Sequence, residues 1–190
     1  RNIAASFDLF RKTTDFQDES SFDKDTTGFS LRTNYAVAED LRHGLNYTVR
    51  QDKISDVDDG ASRLIREQEG TSITSSLGHS LTYDKRDNVI KPTEGYLIKI
   101  GQEVAGIGGD VRYLRHTLTH AYHWPLWWDW IANAGLRGGH IVGLRDDVRI
   151  NDRFLLGGSG LRGFEAGGAG PRDRITEDSL GGNIFYAATA

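Results

Sequence analysis

The residues with the most suggestive chemistry are Gly158, Ser159, Gly160, Leu161, Arg162 and Gly163, which match the G-x-G-x-x-G spacing of dinucleotide-binding turns. That turn works only when a helix follows, because free N–H groups at the helix N-terminus hold the phosphate. Here Phe164-Glu165-Ala166-Gly167-Gly168-Ala169-Gly170-Pro171 follows, and glycine and proline at this density hold no helix. Ser159 also lacks the G-x-S-x-G setting of a nucleophile elbow, since position 161 is Leu. His116, His120 and His123 suggest a metal cluster, but on a strand the first two share a face and the third points away. With no carboxylate beside them, they read as ordinary strand histidines. Asp56, Asp58, Asp59 and Gly60 resemble a calcium loop without its bidentate glutamate, and read as a solvated acidic loop. Asn46-Tyr47-Thr48 is formally a glycosylation sequon, but it sits mid-strand. No catalytic residue, metal or cofactor is expected from these residues, and an enzyme is not expected.

Composition narrows the field further. The 190 residues carry a net charge of −4 and no cysteine, so neither a nucleic-acid field nor a disulfide or thiolate site is expected. No run approaches the roughly 18 apolar residues of a membrane-spanning helix. A mean hydropathy of −0.49 does not exclude a β-barrel, whose strands present only alternate residues to lipid. Twenty-three glycines against three prolines fit an all-β chain with many turns.

The elements that must position all these residues are strands, because the dominant period is two. Ile3, Ala5, Phe7 and Leu9 alternate with polar residues, and so do Phe29, Leu31, Tyr35 and Val37. The pattern returns at Leu41, Leu45, Tyr47 and Val49, at Ile73, Leu77, Leu81 and Tyr83, and at Tyr96, Ile98, Ile100 and Val104. A less regular run covers 110–124, followed by Trp128, Trp130, Ala132, Ala134, Leu136 and Val142, and a last run starts near Leu180. These eight runs exceed the roughly 5 to 6 residues usual in soluble sheets and suit a tilted membrane strand. The first begins at Arg1 and the last is unfinished at Ala190, which implies a chain cut at both ends.

Connections alternate in character. Residues 15–27, 55–70 and 144–179 are long and polar, whereas Glu39-Asp40 makes a tight turn and 105–110 is also short. Long loops on one side and mostly short turns on the other characterise outer-membrane barrels. Trp124, Trp127, Trp128 and Trp130 crowd around Pro125, as expected of aromatics at a membrane interface.

Phe154 to Asp173 contains Gly157-Gly158-Ser159-Gly160-Leu161-Arg162-Gly163-Phe164, which closely resembles the inward-folding loop of the BamA-type outer-membrane protein-assembly family. The family signature is Val-Arg-Gly-Phe or a near variant; Leu161 is a conservative departure, and Arg162, Gly163 and Phe164 match. Tyr83 to Asp87 with Pro92 to Tyr96 is similar to a family turn-and-strand signature, and Leu180-Gly181-Gly182-Asn183 to the strand after the loop. The resemblance covers essentially the whole chain. It implies an all-β fold, part of a sixteen-stranded antiparallel transmembrane barrel. Strands five to twelve would be present, while the periplasmic POTRA domains and the terminal strands would be absent. Gly157, Gly158, Gly160 and Gly163 would let the loop turn against the inner wall, with Phe164 wedged beside it. The family's matching arginine pairs with acidic groups on later strands, so the partner of Arg162 would lie beyond Ala190.

By the same resemblance the function would be folding and inserting client β-barrel proteins into the outer membrane of a Gram-negative bacterium, without ATP or cofactor. Client barrels, accessory assembly lipoproteins, periplasmic chaperones and outer-membrane lipid would be its partners. Two alternatives remain at this point: a TamA-like or two-partner secretion pore of the same superfamily, and a soluble β-sandwich binding module.

Overall fold

Strands that alternate apolar and polar side chains can line up those faces only if every neighbour keeps register. That is what the computed structural model, which describes residues 3–165 and 167–190, contains. The strands are β1 (Ile3–Asp15), β2 (Asp23–Ala36), β3 (Leu41–Ser55), β4 (Gly70–Asp84), β5 (Gly95–Gly109), β6 (Tyr113–Pro125), β7 (Ile131–Gly143) and β8 (Ile184–Thr189). They form one sheet in the order β1 to β8, each pair antiparallel. Two four-residue helices, α1 (Gln17–Ser20) and α2 (Arg63–Arg66), sit in the first two long connections. Arg1, where the first run was expected to open, lies outside the described residues.

Register puts Phe7 opposite Leu31, Leu31 opposite Tyr47, Tyr47 opposite Leu77 and Leu77 opposite Val104. This face points outward, and its apolar side chains stay uncovered: Leu9 is 75% exposed and Phe7 60%. The opposite, inward face carries Arg32, Asn46, Thr48, Arg50, Lys99, Glu103 and Arg115, and residues 144–183 fold onto it. The hydrophobic clusters are correspondingly small and lie beneath that loop. One joins Phe22, Ile54, Ala61, Ile65 and Ile150; the other joins Ala105, Val111, Tyr113, Ile141 and Val148. A soluble β-sandwich would bury its apolar face against a second sheet. Among the described residues no second sheet exists, and the apolar face has the character of a lipid contact.

Four boundaries differ from the sequence reading. The short connection expected at 105–110 is mostly strand, because β5 runs on to Gly109 and leaves only 110–112 between it and β6. The expected loop 15–27 is only 16–22, because β2 begins at Asp23. Residues 23–27 are polar on both faces, so alternation does not reveal them as strand. Trp128 and Trp130 were expected on the face of β7, yet that strand begins at Ile131, and Trp128 and Asp129 adopt left-handed backbone with φ of 58° and 59° in the turn before it. Leu180 to Asn183 was expected to begin the last strand, which instead starts at Ile184. Gly182 forms an isolated bridge to Phe154.

Candidate functional site

The loop after β7 is fastened to the inward face by a buried ionic cluster that motif reading did not find. Ile150–Asp152 form one 3-10 turn, which aims the Asp152 carboxylate at the sheet. Its side chain is 1% exposed and meets the guanidinium of Arg50 from β3. Arg115 on β6 approaches the same carboxylate at 3.8 Å and donates to the Asp152 backbone carbonyl at 2.7 Å. A carboxylate this deeply buried needs paired charge to stay ionised. Burial pushes the Asp152 carboxyl above the ordinary carboxylate range, and the attraction of Arg50 and then Arg115 only partly offsets it.

Each arginine holds a second acid. Arg50 also donates to Asp52 at 2.9 Å, and Asp52 further accepts from Lys24 at 3.3 Å and from Thr26 at 2.6 Å. Arg115 faces Glu103 at 3.5 Å and lies over the rings of Tyr113 (4.8 Å) and Phe154 (5.7 Å). The cluster therefore ties β2, β3, β5 and β6 to one point of the loop.

A second attachment lies where the loop returns. Asp178 accepts from the Ser62 amide at 2.6 Å and from the hydroxyls of Ser21 (2.8 Å) and Thr176 (2.8 Å). Asp173 accepts from the Ser62 hydroxyl at 2.9 Å and from the amides of Ile175 and Thr176. These donors hold the Asp173 carboxyl below its ordinary range, the Ile175 amide contributing most. The connections 16–22 and 56–69 are thereby joined to the loop.

Between the two attachments lies the Arg-Gly-Phe segment. Gly157 has φ of 143°, and a Cβ there would run into the Glu165 carbonyl. Gly158 (φ 56°) opens a 3-10 turn to Gly160 and donates its amide to the Phe164 carbonyl at 2.8 Å. Gly163 has φ of 89°, while a Cβ on Gly160 would meet nothing within 4 Å. Arg137 of β7 donates to the Gly160 carbonyl, which ties this tip to the wall. Leu161 is half-buried, whereas Arg162 and Gly163 are exposed and Phe164 is 52% exposed. Among the described residues Arg162 has no ion pair.

At the opposite end of the sheet, Trp127, Trp128 and Trp130 are 69% to 85% exposed in the β6–β7 turn. Trp124 stays on the outward face of β6, its ring 5.3 Å from Tyr122. Tyr83 and Tyr96 pair at 5.8 Å on the same face and end. The neighbouring turn 85–94 is closed by Asp87, which accepts from the Thr93 hydroxyl (2.6 Å) and from the amides of Thr93 and Glu94. Those bonds, the Thr93 hydroxyl first, hold its carboxyl well below the usual range.

Among the described residues no group of three or more His, Asp or Glu converges as metal ligands. His116 and His120 share the outward face, and His123 the inward one, as the two-residue period requires. Nothing in the sequence marks Asp152 as special. Its one signal is an acid with Ile150 and Phe154 two positions to either side, in a loop between strands whose inward positions carry arginine.

A family model described as the Omp85 superfamily domain matches residues 1–190. The chain is 36% identical over 191 residues to the outer membrane protein assembly factor BamA of Neorickettsia risticii, covering 99% of this chain and 26% of that protein. It is 35% identical over 185 residues to the sorting and assembly machinery component 50 homolog A of Xenopus laevis, covering 96% of this chain and 39% of that protein. The crystal structure of BamA from Haemophilus ducreyi lacking POTRA domains 1-3 superposes with a TM-score of 0.80 at 20% identity, over 98% of this chain and 41% of that one. The chain thus spans well under half the length of these relatives.

Proposed function

The chain belongs to the Omp85 superfamily, and from that membership we propose that it forms the central wall of an outer-membrane assembly factor that folds and inserts client β-barrel proteins. The observation that carries this reading is a loop clamped to the polar inner face of a long-stranded sheet whose outer face is apolar. A section of barrel wall braced from within fits a machine that must hold its shape while a client's strands pair and enter lipid. That work draws on the client's own strand pairing and lipid burial, so no ATP and no cofactor take part. No nucleophile or acid–base pair is assigned a role, and the chain is read as non-enzymatic.

The cell envelope of a Gram-negative bacterium is the proposed location, with the sheet embedded in the outer membrane as part of a multi-pass barrel. The partners are client barrels, periplasmic chaperones, accessory lipoproteins and outer-membrane lipid. Arg162, Gly163 and Phe164 brace the loop, the arginine meeting carboxylates on strands beyond Ala190. The test is complementation in cells depleted of their own assembly factor. The whole protein restores client barrels in the outer membrane, and Arg162→Ala costs both this activity and heat-stability, by about 3 to 5 kcal/mol for a stranded buried charge. Full activity and unchanged heat-stability in Arg162→Ala would remove the bracing role, and failure of the unsubstituted protein would remove the assembly role.

A further inference from the structure

A cavity of about 380 Å³ lies between the inward face of the sheet and the underside of the loop. Four of its lining residues are arginines: Arg50, Arg115 and Arg137 from the wall, and Arg153 from the loop. Asp152 is the one acid on the lining among the described residues, and Arg50 and Arg115 already hold it. Charge does not balance here. The buried cluster sets Lys24, Arg50 and Arg115 against Asp52, Asp152 and Glu103, three charges on each side. Arg137 and Arg153 are then two cations in excess, and among the described residues neither has an acid within ion-pair distance. Arg137 donates to the Gly160 carbonyl and Arg153 to the Val148 carbonyl at 3.0 Å. A guanidinium carries five N–H donors, so both keep N–H groups for another acceptor. Burial pulls the Arg153 guanidinium below its ordinary range, and Asp147 offsets this only in part.

Two further donors at the same cavity lack an acceptor. Arg115 Nε and Asn151 Nδ2 are buried and have no hydrogen-bond partner among the described residues. A buried donor left unpaired costs stability. Water satisfies such N–H groups, but it does not neutralise Arg137 and Arg153. Phe154, Phe185, Leu155 and Leu156 form an apolar side of the lining and supply no side-chain acceptor. What the cavity lacks is an anion with several acceptor oxygens and more than one charge. A carboxylate brings one charge and two oxygens. A phosphate group brings close to two charges and at least three oxygens, and arginine forks grip it bidentately.

We propose that this cavity binds a phosphate group, held by Arg137 of the wall and Arg153 of the loop, with Arg115 Nε and Asn151 Nδ2 as further donors. The bound anion joins β6 and β7 to the loop and fastens the loop where the ion-pair cluster does not reach. The site stands on the loop and the wall alone and is independent of the assembly role.

The test uses the whole protein in maltoside detergent, which carries no phosphate, titrated calorimetrically with inorganic phosphate. Saturable binding that sulfate competes for is expected. Arg137→Gln and Arg153→Gln should each weaken it about tenfold or more, the worth of one hydrogen bond to a charged group. Arg153→Lys, which keeps the charge and loses the fork, should fall between. At about ten times its Kd, phosphate should lower the undocked fraction of the loop about tenfold. Slower trypsin cleavage at the exposed Arg172 and Arg174 reads that change, and sodium chloride of equal ionic strength should not reproduce it. Phosphatidate added to the micelles distinguishes the sources. Displacement of phosphate assigns the site to a lipid headgroup, no displacement assigns it to a soluble phosphate, and either upholds it. Variants are compared as protein that keeps heat-modifiable gel migration, and Arg153→Lys serves where a glutamine variant loses it. No binding to the unsubstituted protein, or binding unchanged in any of these variants, overturns the site. Acetate that competes as well as sulfate overturns it too, by making it a carboxylate site.

Discussion

Arg50→Ala and Asp152→Asn both break the same ion pair, yet they should cost very different amounts. Removing Arg50 leaves Asp52 with Lys24 at 3.3 Å, but leaves Asp152, 1% exposed, with Arg115 at 3.8 Å as its ion-pair partner among the described residues. Stranding a buried carboxylate costs about 3 to 5 kcal/mol, and the surviving Arg115 puts the expectation near the lower figure. Asp152→Asn instead removes the charge whose burial is unfavourable. Arg50 keeps Asp52 at 2.9 Å, Arg115 keeps Glu103 at 3.5 Å, and the backbone carbonyl at 152 still accepts from Arg115. Its cost is that of weakened hydrogen bonds, about 1 to 2 kcal/mol. In the double variant no unpaired carboxylate remains at 152, so Asp152→Asn should recover part of the Arg50→Ala loss. A loss near 3 kcal/mol raises the undocked fraction of the loop roughly a hundredfold. Limited trypsin digestion of the whole protein reads this directly, because Arg172 and Arg174 are exposed on the loop. Equal sensitivity of the two single variants, or strictly additive losses in the double, would refute the clamp.

Gly157→Ala should lower stability by more than about 1 kcal/mol, since its φ of 143° and the Glu165 carbonyl both exclude a side chain, whereas Gly160→Ala should be tolerated. Urea midpoints of the two variants make the comparison, and equal midpoints would count against the loop geometry. Asp87 and Asp173 have folded pKa values below that of the unfolded chain, so their stabilisation is present above the ordinary aspartate value of about 3.9 and is lost as pH falls toward the folded values. Amide proton shifts of Thr93, Glu94 and Ile175 should accordingly titrate with midpoints below the ordinary aspartate value of about 3.9; midpoints at or above that value would contradict the assignment. Trp128→Gly should relieve a left-handed backbone cost of about 1 to 2 kcal/mol while reducing quenching of tryptophan emission by brominated lipids. Emission quenched by aqueous iodide alone would show that this turn stays in water.

Strand number and facing were legible without coordinates, because a two-residue period survives wherever one face meets an apolar phase and the other does not. Phe7, Leu31, Tyr47 and Leu77 declare their face by type alone. The period fails where both faces are polar, which is why Asp23 to Thr27 read as loop, and it overreaches where indoles continue past the strand, as at Trp128. The Arg-Gly-Phe loop was likewise visible from its residues, but the way it is held was not. Asp152 meets Arg50 across 102 positions of chain, and Ser62 meets Asp178 across 116. Such pairings depend on register over several strands, since a one-residue slip would turn Arg50 or Arg115 to the outer face. The same holds for Arg137 and Arg153. Singly they are ordinary cations, and only the docking of the loop on the wall brings them to one cavity. Local alternation thus declared the sheet and its two faces. Tertiary structure decided which distant charges share one buried point, because separation in space is set by hydrogen-bonded register rather than by distance along the chain.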